Sequence, residues 1–161
     1  MHIESQVKNI ASYLCWQYKT TYDTPLDEMK LHKLMYFIQR QALADTGQPL
    51  FQECFKAWKY GPVLLSLRYA YKHGTLSDTK TALSPQTRTL VDHVFNDYAP
   101  ISSWSLSNIT HSELSWVNGR KGLAEGDNGN NDMAIQDIQK DAERMKMRQL
   151  RIFIKQVSSR V

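Results

Sequence analysis

Apolar residues at Ile3, Val7, Ile10, Ala11 and Leu14 recur every three or four positions, which places them on one helix face and predicts an amphipathic helix from the N-terminus to about Tyr18. A turn through Asp23, Thr24 and Pro25 follows. The next stripe, Leu31, Leu34, Met35, Ile38 and Ala42, predicts a second helix. It is capped by Thr24 with Pro25 at the first position, or by Asp27, and it is ended by Gly47 and Pro49. From Phe51 to Tyr60 the helical period is lost and a short extended segment is expected. Gly61 and Pro62 then read as the start of a helix over Val63–Lys72 that stops at Gly74. Ser84 and Pro85 open another, striped by Leu90, Val91, Val94, Phe95 and Tyr98 and closed by Pro100. Ser103 caps a short helix from Trp104 to about Ile109. The stretch "NGRKGLAEGDNGNND" carries four glycines and four asparagines, which describes a mobile loop. A last helix begins near Asp132, with Ile135, Ile138, Ala142 and Met145 on one face and a continuation through Leu150 and Ile154. The expected fold is mainly α, a single domain over residues 1–161 of six to seven helices, one layer wrapped on another.

Length and composition narrow the class. The chain has 161 residues, 42% hydrophobic and 22% charged, enough for one packed core and too apolar a mixture for wholesale disorder. No apolar run approaches the ~20 residues of a membrane span, and Met1–Ile10 lacks the apolar stretch of a secretory signal. A cytoplasmic protein is expected. Cys15 and Cys54 have no close-spaced partner and read as reduced thiols filling apolar space. The net charge of +4 implies nucleic-acid binding only if the bases cluster. Phe55–His73 does hold four bases and no acid, and Gly122–Asp137 four acids and no base, so a two-sided surface is expected.

Candidate chemistry is sparse. His32, His73, His93 and His111 match no metal spacing, and "DNGNND" puts Gly129 where a calcium loop needs an oxygen ligand. Neither a metal nor a cofactor is expected. His111 and Glu113 are all the sequence offers toward catalysis, without a nucleophile motif around Ser112 or Ser115, so no catalytic residue is assigned. Lys56, Lys59, Arg68 and Lys72, interleaved with Trp58 and Tyr60, suit phosphates and stacked bases. The same residues suit a protein interface, and Trp58 and Tyr60 equally suit anchoring of the extended segment on the core.

The blocks "MKLHKLMYFIQRQALADTGQPLF", "FKAWKYGPVLLSL" and "SSWSLSNITHSELSW" together resemble the Panacea domain, the SocA-like antitoxin domain of bacteria and phages. The resemblance covers Leu26–Trp116. It departs at His32, where Gln is more usual, at Ile109, which replaces Leu before Thr-His, and at Leu64 and Leu65, which replace Val-Pro. It implies an antitoxin of a type II toxin–antitoxin system that neutralises, by direct binding, a cognate protein toxin encoded by the adjacent gene. A variant theme in such relatives is an adaptor that delivers the toxin to a protease. The alternative from composition is a nucleic-acid-binding regulator using residues 55–73. On the resemblance, Trp58, Lys59, Tyr60, Arg68 and Lys72 are the expected partner-binding residues. Leu31, Lys33, Leu34, Tyr36, Gly61, Pro62, His111 and Trp116 are the motif residues expected to serve the fold.

Overall fold

The computed structural model describes residues 3–160, with side-chain surroundings from residue 6 onward. Met1, His2 and the Ile3 side chain, part of the N-terminal reading, lie outside the described residues. Seven helices and one two-stranded hairpin are found among the described residues: α1 (Ile3–Tyr22), α2 (Glu28–Thr46), β1 (Lys56–Trp58), β2 (Gly61–Val63), α3 (Leu65–Lys72), α4 (Pro85–Tyr98), α5 (Ser103–His111), α6 (Leu114–Gly119) and α7 (Ile135–Ser158). The mainly α expectation holds. No helix of the described residues is long and apolar enough to cross a membrane.

Helix α2 is the axis of the fold, packing against α1, α3, α4, α5, α7 and β2. Its start is settled in favour of Asp27, whose side chain accepts from the Lys30 N–H at 2.9 Å, a cap that contributes about 1 kcal/mol. Its end is Gly47 in the left-handed region, φ 72°. The predicted stripe is buried throughout, and so is the opposite face: Lys30, His32, Lys33, Gln39 and Arg40 are all buried. A buried polar group is costly unless it is bonded, and four of these five are bonded. Lys30 Nζ donates to the Ala99 carbonyl at 2.8 Å. His32 Nδ1 accepts from Leu64 N–H at 3.2 Å. Gln39 bridges the backbone of Phe51 and Leu50. Arg40 pairs with Glu113 at 2.9 Å. Lys33 is the exception, with no ion pair among the described residues.

Several boundaries differ from expectation. Gly61 and Pro62 do not start a helix. They form β2, joined to β1 by the two-residue turn Lys59–Tyr60, with Ala57 opposite Pro62. Proline is tolerated because Ala57 directs its N–H to the Asn131 carbonyl and its own carbonyl to Arg120, so no ladder bond is lost. Helix α3 consequently begins at Leu65. The glycine-asparagine loop is not free either, since Arg120 donates to the carbonyls of Ala124, Asp127 and Asn128. Asp132 forms a bridge to Lys56, which delays α7 to Ile135. Ser102, not Ser103, caps α5. Cys15 is half-buried, but Cys54 is exposed rather than packed in apolar space.

Candidate functional site

Two polar centres follow one another along the same face of α2, where Lys33, Tyr36 and Arg40 are spaced three and four residues apart. The first is enclosed. Tyr36 Oη donates toward Glu113 Oε2 at 2.9 Å and Asp141 Oδ2 at 3.1 Å, and Arg40 reaches both Glu113 and the Tyr98 hydroxyl. Asp141 also accepts the backbone N–H groups of Leu114 and Ser115. Burial pushes the Glu113 carboxyl up, against the opposing pull of Arg40. These groups are spent on one another. The centre ties α2 to α4, α6 and α7 through Tyr36, Arg40, Tyr98, Glu113 and Asp141.

The second centre opens to the surface. It is a cavity of about 270 Å³ between α2, the hairpin, α3 and the loop, with Lys33, His32, Trp58, Tyr60, Gly61 and Arg68 in its walls. The hairpin fixes its aromatic wall. Trp58 Nε1 donates to Asn130 Oδ1 at 3.2 Å, the Trp58 carbonyl accepts from Trp116 Nε1 at 2.9 Å, and the Tyr60 carbonyl accepts from Ser107 Oγ at 2.8 Å. The Tyr60 ring meets Trp104 edge to face at 5.4 Å, and the two are 46% and 61% exposed. Lys59 Nζ stands 5.2 Å from the Tyr60 ring centre.

Gly61 lets α2 approach the hairpin. Its φ of 117° suits glycine, and a Cβ there would stand 2.8 Å from Thr110 Oγ1 and 3.0 Å from Lys33 Nζ. Lys33 is 1% exposed, and burial pushes its ammonium down to about 8. Burial likewise pushes His32 down to about 3, with Lys33 and Arg68 acting in the same direction. His32 is therefore neutral, and because Nδ1 accepts, the proton sits on Nε2, which is buried with no partner among the described residues.

Of the expected partner-binding residues, Trp58, Tyr60 and Arg68 share this cavity, and Lys59, in the hairpin turn, and Lys72, at the end of α3, are outside its lining. Arg68 is already paired, its Nη1 at 2.7 Å from Glu28 Oε1, with its guanidinium carbon 5.8 Å from the Trp58 ring centre. Among the motif residues, Leu31, Leu34 and Tyr36 are in the core and Pro62 is buried in β2. His111 stacks on Trp116 at 4.1 Å, and burial lowers its pKa, reinforced by Lys33. Sequence reasoning missed Arg40, Asp141 and Trp104; only the burial of α2 on every side could have flagged the first two.

A model of the family described as antitoxin SocA-like, Panacea domain, matches residues 31–117. That is more than half of the chain, and the chain belongs to this family. Antitoxin SocA of Caulobacter vibrioides (strain NA1000 / CB15N) is 46% identical over 41 residues, a stretch covering 26% of this chain and 22% of that protein. The alignment thus spans about a fifth of the relative's length. No solved structure matches the chain.

Proposed function

We propose that this Panacea-family chain is the antitoxin of a type II toxin–antitoxin pair and neutralises its cognate toxin by direct binding. It acts as a single domain in the cytoplasm and makes no bonds of its own. The observation that carries the reading is the exposed aromatic ledge of Tyr60 and Trp104 beside Lys59, on the hairpin where the shared blocks meet. Large aromatics at the centre of a patch dominate protein interfaces, and stable complexes bury about 800 Å² on each partner. Lys59 and Lys72 are placed to steer an acidic toxin surface. Trp58 and Arg68, held by Asn130 and Glu28, line the cavity that Tyr60 also borders.

Alternatives are weakened by the same geometry. Of the four bases between Phe55 and His73, Lys56 is paired with Asp132 and Arg68 with Glu28, which leaves Lys59 and Lys72 for phosphates. Glu113 is buried against Arg40 and Tyr36, and His111 lies flat on Trp116, so these two do not form an acid–base pair.

Co-expression with the adjacent open reading frame tests the reading. The neighbour alone is expected to arrest growth, and this chain to restore it through a stoichiometric complex recovered by pull-down. A neighbour harmless by itself removes the proposal. Restored growth with accelerated loss of the neighbour and no stable complex assigns the adaptor role instead.

A further inference from the structure

The cavity beside Lys33 is more than a by-product of the hairpin. Each of the other buried polar side chains of α2 is bonded, whereas none of the ion pairs among the described residues includes Lys33. Lys33 is almost wholly buried yet lines the open cavity, and Gly61, where a Cβ would crowd its stem, lets it lie against the hairpin. The charge balance of the walls then names the sign of what is missing. Glu28 is in contact with Arg68, and Asp27 and Glu28 act on Lys33 only at a distance, without an ion-pair contact to it. His32 contributes to the same wall and keeps an unpartnered donor at Nε2. Trp58 lines the same cavity, with the Arg68 guanidinium over its ring.

We propose that this cavity is an anion-binding site, taking one carboxylate or phosphate oxygen group at Lys33, assisted by His32, with the body of the ligand against Trp58. A volume of about 270 Å³ admits a small acid or a single acidic side chain. It is too small for a dinucleotide or a folded segment. The site does not require a toxin to be filled, so it stands or falls separately from the antitoxin reading.

The test is titration calorimetry of the full chain with benzoate, acetate and inorganic phosphate, each at constant ionic strength set by chloride, with benzyl alcohol as the uncharged analogue. The expected result is saturable binding of at least one of the three anions, weakened at least tenfold in Lys33→Met and unchanged in Lys8→Met, an exposed lysine of α1 outside the cavity. Preference for benzoate or acetate identifies a carboxylate ligand, such as an acidic side chain, and preference for phosphate a phosphorylated one. A second readout needs no variant: the Lys33 ε-carbon resonance of the wild type shifts with the bound fraction. No saturable binding by the wild type, benzyl alcohol binding as tightly as benzoate, or undiminished binding by folded Lys33→Met overturns the proposal.

Discussion

At Gly61 one missing side chain serves both backbone and packing. Its φ of 117° strains any other residue, and a Cβ would press on Thr110 Oγ1 and the Lys33 stem. Gly61→Ala is expected to cost about 2–4 kcal/mol, combining backbone strain with overpacking. Gly47→Ala, left-handed at φ 72° but with nothing within 4 Å, should cost only about 1 kcal/mol. Urea unfolding of the two variants separates strain from contact, and equal costs would show that Lys33 yields freely. His32 carries a second consequence. Its folded-state pKa is about 3 against an ordinary 6.5, so below pH 6.5 the unfolded chain takes up the proton first. The associated stability is complete above pH 6.5 and is lost as pH falls toward 3, by up to about 1.4 kcal/mol per pH unit. His32→Gln, which can still accept from Leu64 N–H, is expected to flatten the acid limb of a stability–pH curve measured by urea midpoint. An unchanged slope would place the acid sensitivity elsewhere.

Among the elements, α2 depends on the Arg40–Glu113 pair, both members buried. Removing one charge strands the other, so Glu113→Met or Arg40→Met should destabilise by about 3–5 kcal/mol. The joint replacement Arg40→Met with Glu113→Met should cost clearly less than the sum of the single changes, as a double-mutant cycle by chemical denaturation would register. Such pairs explain what the sequence concealed. Helix ends with chemical punctuation were legible: Asp27 and Ser84 as caps, Gly47 as a stop. The stripe of α2 was also legible, but its other face was not, because Lys30, Lys33 and Arg40 look like solvated residues until neighbouring elements enclose them. The hairpin was misread since Gly-Pro marks a helix start and a turn edge equally well, and only the bonds from Asn131 and Arg120 to Ala57 decide between them. Helix α6, Leu114–Gly119, is too short to show a period. Of the candidate site, the aromatic and basic members were visible, whereas the partnerless state of Lys33 depends on which residues fold around it.

Across the whole molecule the charge is not divided as the two runs suggested. The acidic loop folds back onto the basic hairpin, with Lys56 and Asp132 in contact at 2.6 Å and Trp58 bonded to Asn130, so the two runs meet at this edge. The surplus lies at the end of α7, where Lys146, Arg148, Arg151, Lys155 and Arg160 occur with no acid between them. Beyond Met145 this helix leaves the core: Leu150, Phe153, Ile154 and Val157 are each about half exposed or more, and the segment lies outside the family-matched residues. A helical segment that buries little apolar area adds little to global stability. Deleting residues 150–161 should therefore leave the urea midpoint and the far-ultraviolet signature of the remaining helices nearly unchanged, within about 0.5 kcal/mol. If the basic, apolar stripe contacts the toxin, the same deletion lowers affinity for the co-purified neighbour and flattens its salt dependence, since the lost charges no longer contribute to attraction. A loss of several kcal/mol of stability would instead place this stripe against the body of the fold, and binding unaffected by the deletion would confine recognition to the Tyr60–Trp104 ledge.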